Sequence, residues 1–292
     1  MVMNTQQLFY LTEIERTRSI SQAAENLYMS QPNLSRLLRE TEESIGFAIF
    51  QRTRRGVQPT EKGEIFLQHA KIMLREMEFM ERLGPNHNLA SRFRVCLPRS
   101  QYYLNLTRQY LQGISPAEPL DAVIREGHPR QGLELLSNCD VDIAVIRYST
   151  EYQAYFEEQT QSRDLRLTPL KQVAFQILLS EHDPLSQKAF VTRQDLESYT
   201  ELLHRDIFCP GQKGKRSIYI VDPLAQLQML QAMPDCYTWS EPMSEDFLHR
   251  YGLVQRPCSD GCFYQDALVY KPQCAMSEPE TGFLDRILET AK

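Results

Sequence analysis

The stretch Ser19-Ile20-Ser21-Gln22-Ala23-Ala24-Glu25-Asn26-Leu27-Tyr28-Met29-Ser30-Gln31-Pro32-Asn33-Leu34-Ser35-Arg36-Leu37-Leu38-Arg39 reads as two helices joined by a short turn. Ser21 is expected to cap a helix whose inner face is Ala23, Ala24 and Leu27, small side chains that let another helix come close. Ser30 is expected as a second N-cap, with Pro32 in a first turn where its missing N–H costs little. The helix that follows, 31–45, sets Leu34, Leu38, Thr41 and Ile45 on one stripe and leaves Gln31, Asn33, Ser35, Arg36 and Arg39 off it, and Gly46 ends it. A second helix with a solvent face of Gln, Ser and Arg is the sequence form of a helix-turn-helix, because Gln matches adenine edges, Arg matches guanine, and Ser serves either. On these residues alone a helical hairpin with a solvated polar face is the alternative.

The flanks bear on that choice. Upstream, residues 6–16 carry Leu8, Phe9, Leu11 and Ile14 at helical spacing. Downstream, 47–52 is β-prone, 53–56 is a basic turn, and 57–59 returns, which is a wing. Arg52, Arg54 and Arg55 concentrate positive charge at its tip, placed for phosphate or a minor groove. From Thr60 to Leu83 the chain is expected to be one helix of about 36 Å. Its apolar positions recur by sevens, Ile65-Ile72-Phe79 beside Phe66-Met73-Met80, with Ala70, Met77 and Leu83 filling in. A stripe this wide needs a partner: a second copy of the chain, or its own second half. Residues 84–92 read as a hinge.

At this point the chain resembles the LysR-type transcriptional regulators of bacteria, over residues 4–83. The resemblance rests on Phe9, Ser19-Ile20-Ser21-x-Ala23-Ala24-x-x-Leu27-x-x-Ser30-Gln31-Pro32-x-x-Ser35-Arg36, Glu42, Gly46, Phe50-x-Arg52 and Thr60-x-x-Gly63. Thr41 departs from the leucine usual there, and its hydroxyl is expected to bond back to the Leu37 carbonyl. The resemblance implies a winged helix-turn-helix over 1–59 that reads a roughly two-fold-symmetric double-stranded DNA site. It also implies a homodimer through the linker helix 60–83, commonly assembled to a homotetramer, and an effector-binding domain over 93–292. The DNA-binding set is then Ser30, Gln31, Pro32, Asn33, Ser35, Arg36, Arg39, Arg52, Arg54 and Arg55.

The second half alternates strand and helix, giving α/β units and a mostly parallel sheet, so the fold class is α/β overall behind a mainly α N-terminal domain. Strands are expected at 93–97, 120–125, 141–146, 173–179, 201–204, 236–239 and 263–270. Helices are expected at 101–111, 129–136, 222–233 and, after a Ser277-x-x-Glu280 capping box, at the C-terminus. This looks like the family's two-lobed effector domain in the style of periplasmic binding proteins, with lobe I over about 93–163 and 263–292 and lobe II over about 164–262. A glycine-containing stretch that many relatives show in the second lobe is missing around 224–234. Ligands of open α/β lobes sit beyond the carboxyl ends of strands, where helix N-termini offer free N–H groups. Ser100 and Gln101 hold that place after the first strand, and Ser100 matches the family's effector-carboxylate position. Arg147 and Arg205 follow later strands. A small polar or anionic effector is expected there; for each arginine, a surface residue or an inter-lobe ion pair is the alternative.

Bulk properties fit. The chain has 292 residues, 42% hydrophobic and 24% charged, enough for about two globular domains. Its net charge of −6 falls wholly after residue 90, since residues 1–90 balance 11 basic against 11 acidic groups. No apolar run approaches a membrane span, and no signal peptide precedes the first helix, so a cytoplasmic protein is expected. Seven scattered cysteines argue for reduced thiols rather than a disulfide framework. Cys258 and Cys262 invite a redox or metal reading, but lack ligand-like companions, and incidental thiols are the expectation. No phosphate loop, serine elbow or HExxH is present, which leaves an enzyme without a catalytic constellation and no cofactor implied. A regulator that is ligand-independent or answers to thiol redox state is the second reading.

Overall fold

The computed structural model of the chain describes residues 4–53, 56–82, 91–203, 216–259 and 261–290. It divides into two compact units, one built on the N-terminal helices and wing, the other on a large mixed sheet.

In the first unit α1 (Thr5–Thr17) starts from a reciprocal cap: Asn4 accepts the Gln7 N–H and the Gln7 side chain accepts the Asn4 N–H, each at 2.9 Å. The second helix, α2 (Ile20–Asn26), is capped by Ser19, whose hydroxyl accepts the Gln22 N–H at 3.3 Å. This corrects the expectation for Ser21. The extended backbone that a cap requires falls two residues earlier, and Ser21 lies inside the helix. The third helix, α3 (Gln31–Ile45), ends on Gly46 in the left-handed region. Its Thr41 hydroxyl donates to the Leu37 carbonyl at 2.8 Å, as the sequence led us to expect. Leu11, Ile14, Ala23, Ala24, Leu34, Ile49 and Leu67 close a core in which each is at most 2% exposed. Each large aliphatic chain so buried contributes about 1.5–3 kcal/mol.

The wing is β1 (Phe50–Thr53) paired antiparallel with β2 (Gly56–Pro59). Glu42 of α3 fixes its start, because one carboxylate oxygen accepts the N–H groups of Ile49 and Phe50 at 2.7 and 3.0 Å. Next comes α4 (Glu61–Arg82), capped by the Thr60 hydroxyl on the Gly63 N–H at 3.0 Å. Gly63 is obligatory at this joint, since a Cβ there would lie 1.9 Å from the Ile49 carbonyl oxygen. Leu67 and Ala70 are buried, whereas Ile65, Met73, Phe79 and Met80 are exposed within the single chain.

The second unit holds β3 (Ser91–Leu97), α5 (Gln101–Gln112), β4 (Leu120–Glu126), α6 (Pro129–Ser137), β5 (Ile143–Ser149) and, after a 3-10 turn at Thr150–Tyr152, α7 (Gln153–Gln161). The chain then crosses on the long strand β6 (Arg166–Ser180). Beyond it lie β7 (Thr200–Leu203), β8 (Ser217–Tyr219), α8 (Pro223–Ala232), β9 (Cys236–Ser240), α9 (Glu245–Arg250) and β10 (Leu253–Arg256). It returns on β11 (Cys262–Tyr270) and closes with α10 (Glu278–Glu289). The strand order is β4-β3-β5-β11-β6-β9-β7-β8, with β10 beside β6. Parallel pairs within each lobe are joined by the antiparallel crossing strands β6 and β11. One lobe buries Leu133, Leu136, Val141, Ala144, Ile146, Ala267 and Val269; the other buries Leu202, Leu230, Cys236 and Leu253.

The helix α7 and the short elements β8, α9 and β10 escaped the sequence reading. Glu280, read as one half of a capping box, is fully buried and turned to the sheet. It accepts the Arg94 N–H at 3.1 Å and stands 3.8 Å from Arg92, which also faces Asp142 at 3.4 Å. Among the described residues no helix is long and apolar enough to cross a membrane, and no group of His, Cys, Asp and Glu could hold a metal ion.

Candidate functional site

At the head of α3, Ser30 occupies the N-cap position with extended backbone, yet its hydroxyl makes no capping bond. Gln31, Pro32, Asn33, Arg36 and Arg39 are exposed, while Leu34 and Leu38 are buried against the core. Helical geometry thus sends one face inward and presents a run of amide, hydroxyl and guanidinium groups to solvent. Gln31 donates to the Ser35 hydroxyl at 2.8 Å, and the exposed Arg36 lies 3.9 Å from Glu40, a surface pair of little energetic weight. Arg52 is exposed on the first wing strand. Arg54 and Arg55 lie outside the described residues. Tyr28, which the sequence reading passed over, is 98% exposed in the turn before α3 and sits in the left-handed region at φ 53°.

The second group of residues meets where the lobes join. Ser100 caps α5, accepting the Tyr103 N–H at 3.4 Å, and donates its own proton to Glu241 at 2.8 Å. Glu241 follows β9 of the other lobe. The same carboxylate oxygen is 2.8 Å from Nη1 of Arg147, whose Nε and Nη2 reach the two oxygens of Asp266 at 2.6 and 2.9 Å. All four side chains are more than nine-tenths buried. Burial works against the charge of Arg147, but its bonds to Asp266 and Glu241 outweigh that and hold its pKa above the ordinary arginine value. Burial, and then the charge and hydrogen bond of Asp266, push the Tyr103 hydroxyl far up as well.

Arg147 is therefore the inter-lobe ion pair that the sequence reading set beside the effector role. Its charge is matched by two carboxylates. Gln101 is exposed at the start of α5, and Arg205 lies outside the described residues. Asp266 and Glu241 were missed. Asp266 had a signal, a lone acid beside the apolar run Ala267-Leu268-Val269, since a buried charge requires a partner. Glu241 had none.

The thiols also depart from expectation. Cys96, Cys139, Cys236, Cys258 and Cys274 take part in no disulfide. Cys262, at the first position of β11, is disulfide-bonded, so Cys258 is not its partner. Burial pushes the Cys96 thiol up to about 11.

An exposed recognition-type helix beside a two-stranded wing defines the class of winged helix-turn-helix folds, and a two-lobed α/β domain follows it along the chain. Residues 5–64 match the family model described as "Bacterial regulatory helix-turn-helix protein, lysR family". It is 25% identical over 211 residues to the "Hydrogen peroxide-inducible genes activator" of Haemophilus influenzae, a match covering 71% of this chain and 66% of that one. It is 26% identical over 215 residues to the "HTH-type transcriptional regulator CysB" of Burkholderia cenocepacia, covering 72% of this chain and 66% of the relative. These matches thus span just under two thirds of each relative's length. Among solved structures, the full-length regulator LysG of Corynebacterium glutamicum, with arginine bound as effector, has a TM-score of 0.65 at 14% identity, covering 99% of this chain and 98% of that one. At that identity the likeness is one of fold.

Proposed function

We propose that the protein is a DNA-binding transcriptional regulator, not an enzyme, and that it acts as a homodimer whose geometry on a roughly two-fold-symmetric site is set by a small-molecule effector. The observation that carries this reading is the solvent face of α3, where Gln31, Asn33, Arg36 and Arg39 stand exposed beside the wing. Base edges are read from that face; Arg52, and with it Arg54 and Arg55, adds phosphate contacts. The exposed apolar positions of α4, Ile65, Met73, Phe79 and Met80, support pairing through residues 60–83, and dimers of this kind join to tetramers.

Effector control follows from the inter-lobe lock. A small polar or anionic effector carrying an acceptor group competes with Glu241 for the Ser100 hydroxyl and Arg147, and Gln101 and Arg205 are the further residues offered to it. Replacing Glu241 releases one lobe from the other and shifts the population of lobe arrangements, which is felt as a change in DNA affinity. The test is gel-shift binding of the purified protein to the DNA upstream of its own gene, with sedimentation analysis alongside. A monomer indifferent to that DNA would sink the reading.

The disulfide at Cys262 favours a second reading, in which thiol oxidation replaces or supplements the effector. Cys262 opens the strand that carries Asp266, so a change there bears on the lock. Identical DNA affinity before and after reduction with dithiothreitol would remove it.

A further inference from the structure

One cavity lies beside the lock, shares only Arg147 with it, and is separate from the DNA interface. It has a volume of about 640 Å³ and lies in the first lobe beyond the carboxyl end of β5. Its walls are Tyr148, Tyr152, Tyr155, Phe156 and Tyr264, and its polar groups are His128, Arg130, Arg147 and Ser149. Ser100, Gln101 and Glu241 do not line it; Arg147 alone is common to both places.

The walls are set before any ligand arrives. Tyr148 and Phe156 stack at 4.7 Å between ring centroids, and Tyr155 meets Phe156 edge to face at 5.0 Å. Paired rings of this kind form flat slabs that accept a third ring at low cost in side-chain freedom.

Charge is unbalanced at one end. Among the described residues no carboxylate lines the cavity, the charge felt by the Tyr148 hydroxyl being that of Glu157 outside the lining, and the Arg130 guanidinium lies 5.2 Å from the Tyr155 ring centroid, held by the ring face with no acid paired to it among the described contacts. The cavity also meets the head of α6. There His128 accepts the Gln131 N–H on Nδ1 at 3.2 Å, so its neutral ring carries the proton on Nε2 as a donor. Pro129 brings no N–H, and the Gln131 N–H is taken by His128. The open first-turn amide is that of Arg130, at the positive end of the helix dipole. Finally, the hydroxyl of Tyr148, a residue only 3% exposed, is buried without a hydrogen-bond partner. Such a group carries a desolvation cost until an acceptor meets it.

Aromatic slabs, a cationic end with several donors and no acid in the lining together select one chemistry. We infer that this cavity is a binding site for an aromatic carboxylic acid, the ring lying among Tyr148, Tyr152, Tyr155 and Phe156 and the carboxylate at Arg130 and His128. A cavity of this volume accommodates two fused rings as readily as one. The site stands on lobe I and β11 and does not depend on the regulatory reading.

The experiment is calorimetric titration of the full-length protein with 1-naphthoate, with 1-naphthamide and acetate as comparison ligands. Naphthoate is expected to bind, naphthamide at least about tenfold more weakly for loss of the charge-assisted contact, and acetate not measurably. Arg130→Gln and Tyr152→Ala are surface-exposed changes, checked for an unchanged thermal midpoint, and each is expected to weaken naphthoate by about tenfold. Absence of naphthoate binding overturns the proposal, as does naphthoate binding that both variants leave unaltered. The same preparation without naphthoate is assayed for DNA binding, so loss of the regulatory reading and loss of the pocket are read from separate measurements.

Discussion

Arg147 and Asp266 stand directly opposite each other on the antiparallel strands β5 and β11 and share two bonds of 2.6 and 2.9 Å with only 7% and 0% of their surfaces exposed. Deleting Asp266 takes both of these bonds from a buried guanidinium and leaves two of its nitrogens unsatisfied, with Glu241 on the third. Asp266→Asn is expected to destabilise the α/β unit by about 3–5 kcal/mol, whereas Arg147→Met combined with Asp266→Leu and Glu241→Gln recovers most of it, because the whole charged cluster is then replaced and the glutamine oxygen still accepts the Ser100 hydroxyl. Urea midpoints of the three proteins check this; a single variant as stable as the parent contradicts it.

At the joint between wing and linker helix, Gly63→Ala forces a Cβ against the Ile49 carbonyl. Backbone must move, and a loss of about 1–3 kcal/mol in the thermal stability of the N-terminal unit is expected. Met77→Ala, on the same helix away from that joint, serves for comparison.

On DNA, the two exposed arginines separate by role. Arg36→Ala is expected to lose on the order of 1–3 kcal/mol on the proper site and little on random duplex. Arg52→Ala weakens both about equally and lowers the slope of log affinity against log salt by about one. Equal losses on both DNAs for Arg36→Ala would assign it to phosphate.

Cys96 is 1% exposed and its thiol pKa is raised to about 11. The thiolate is the nucleophile, and below a raised pKa the neutral form prevails, so at pH 8 Cys96 stays unalkylated by iodoacetamide in the native protein and reacts once the chain is unfolded in urea. Mass-spectrometric mapping of the modified residues reads this directly; native labelling at Cys96 would contradict the assignment.

The DNA end was legible in detail because its signals are local. Thr41 bonds to a carbonyl four residues back, and Gly46 takes the positive φ that a helix terminus asks of it. Even there the cap moved from Ser21 to Ser19, since several serines in a row offer more than one start. The helix α7 was missed for want of apolar period: of its nine residues only Phe156 and Thr160 are buried. β8 and β10, of three and four residues, are strands by virtue of their neighbours rather than their own composition. The lock was half visible. A basic residue after a buried strand announces a need for countercharge, but the partners, 119 positions away at Asp266 and beyond the far strand at Glu241, are chosen by topology alone.

The strand β6 runs for 15 residues without a break, hydrogen-bonded to β11 along one part and to β9 and β10 along the other. It is a single beam shared by two rooms. Because both lobes hydrogen-bond to the one strand, a lesion in either is expected to lower the stability of both, and a fragment cut between them would leave an open strand edge.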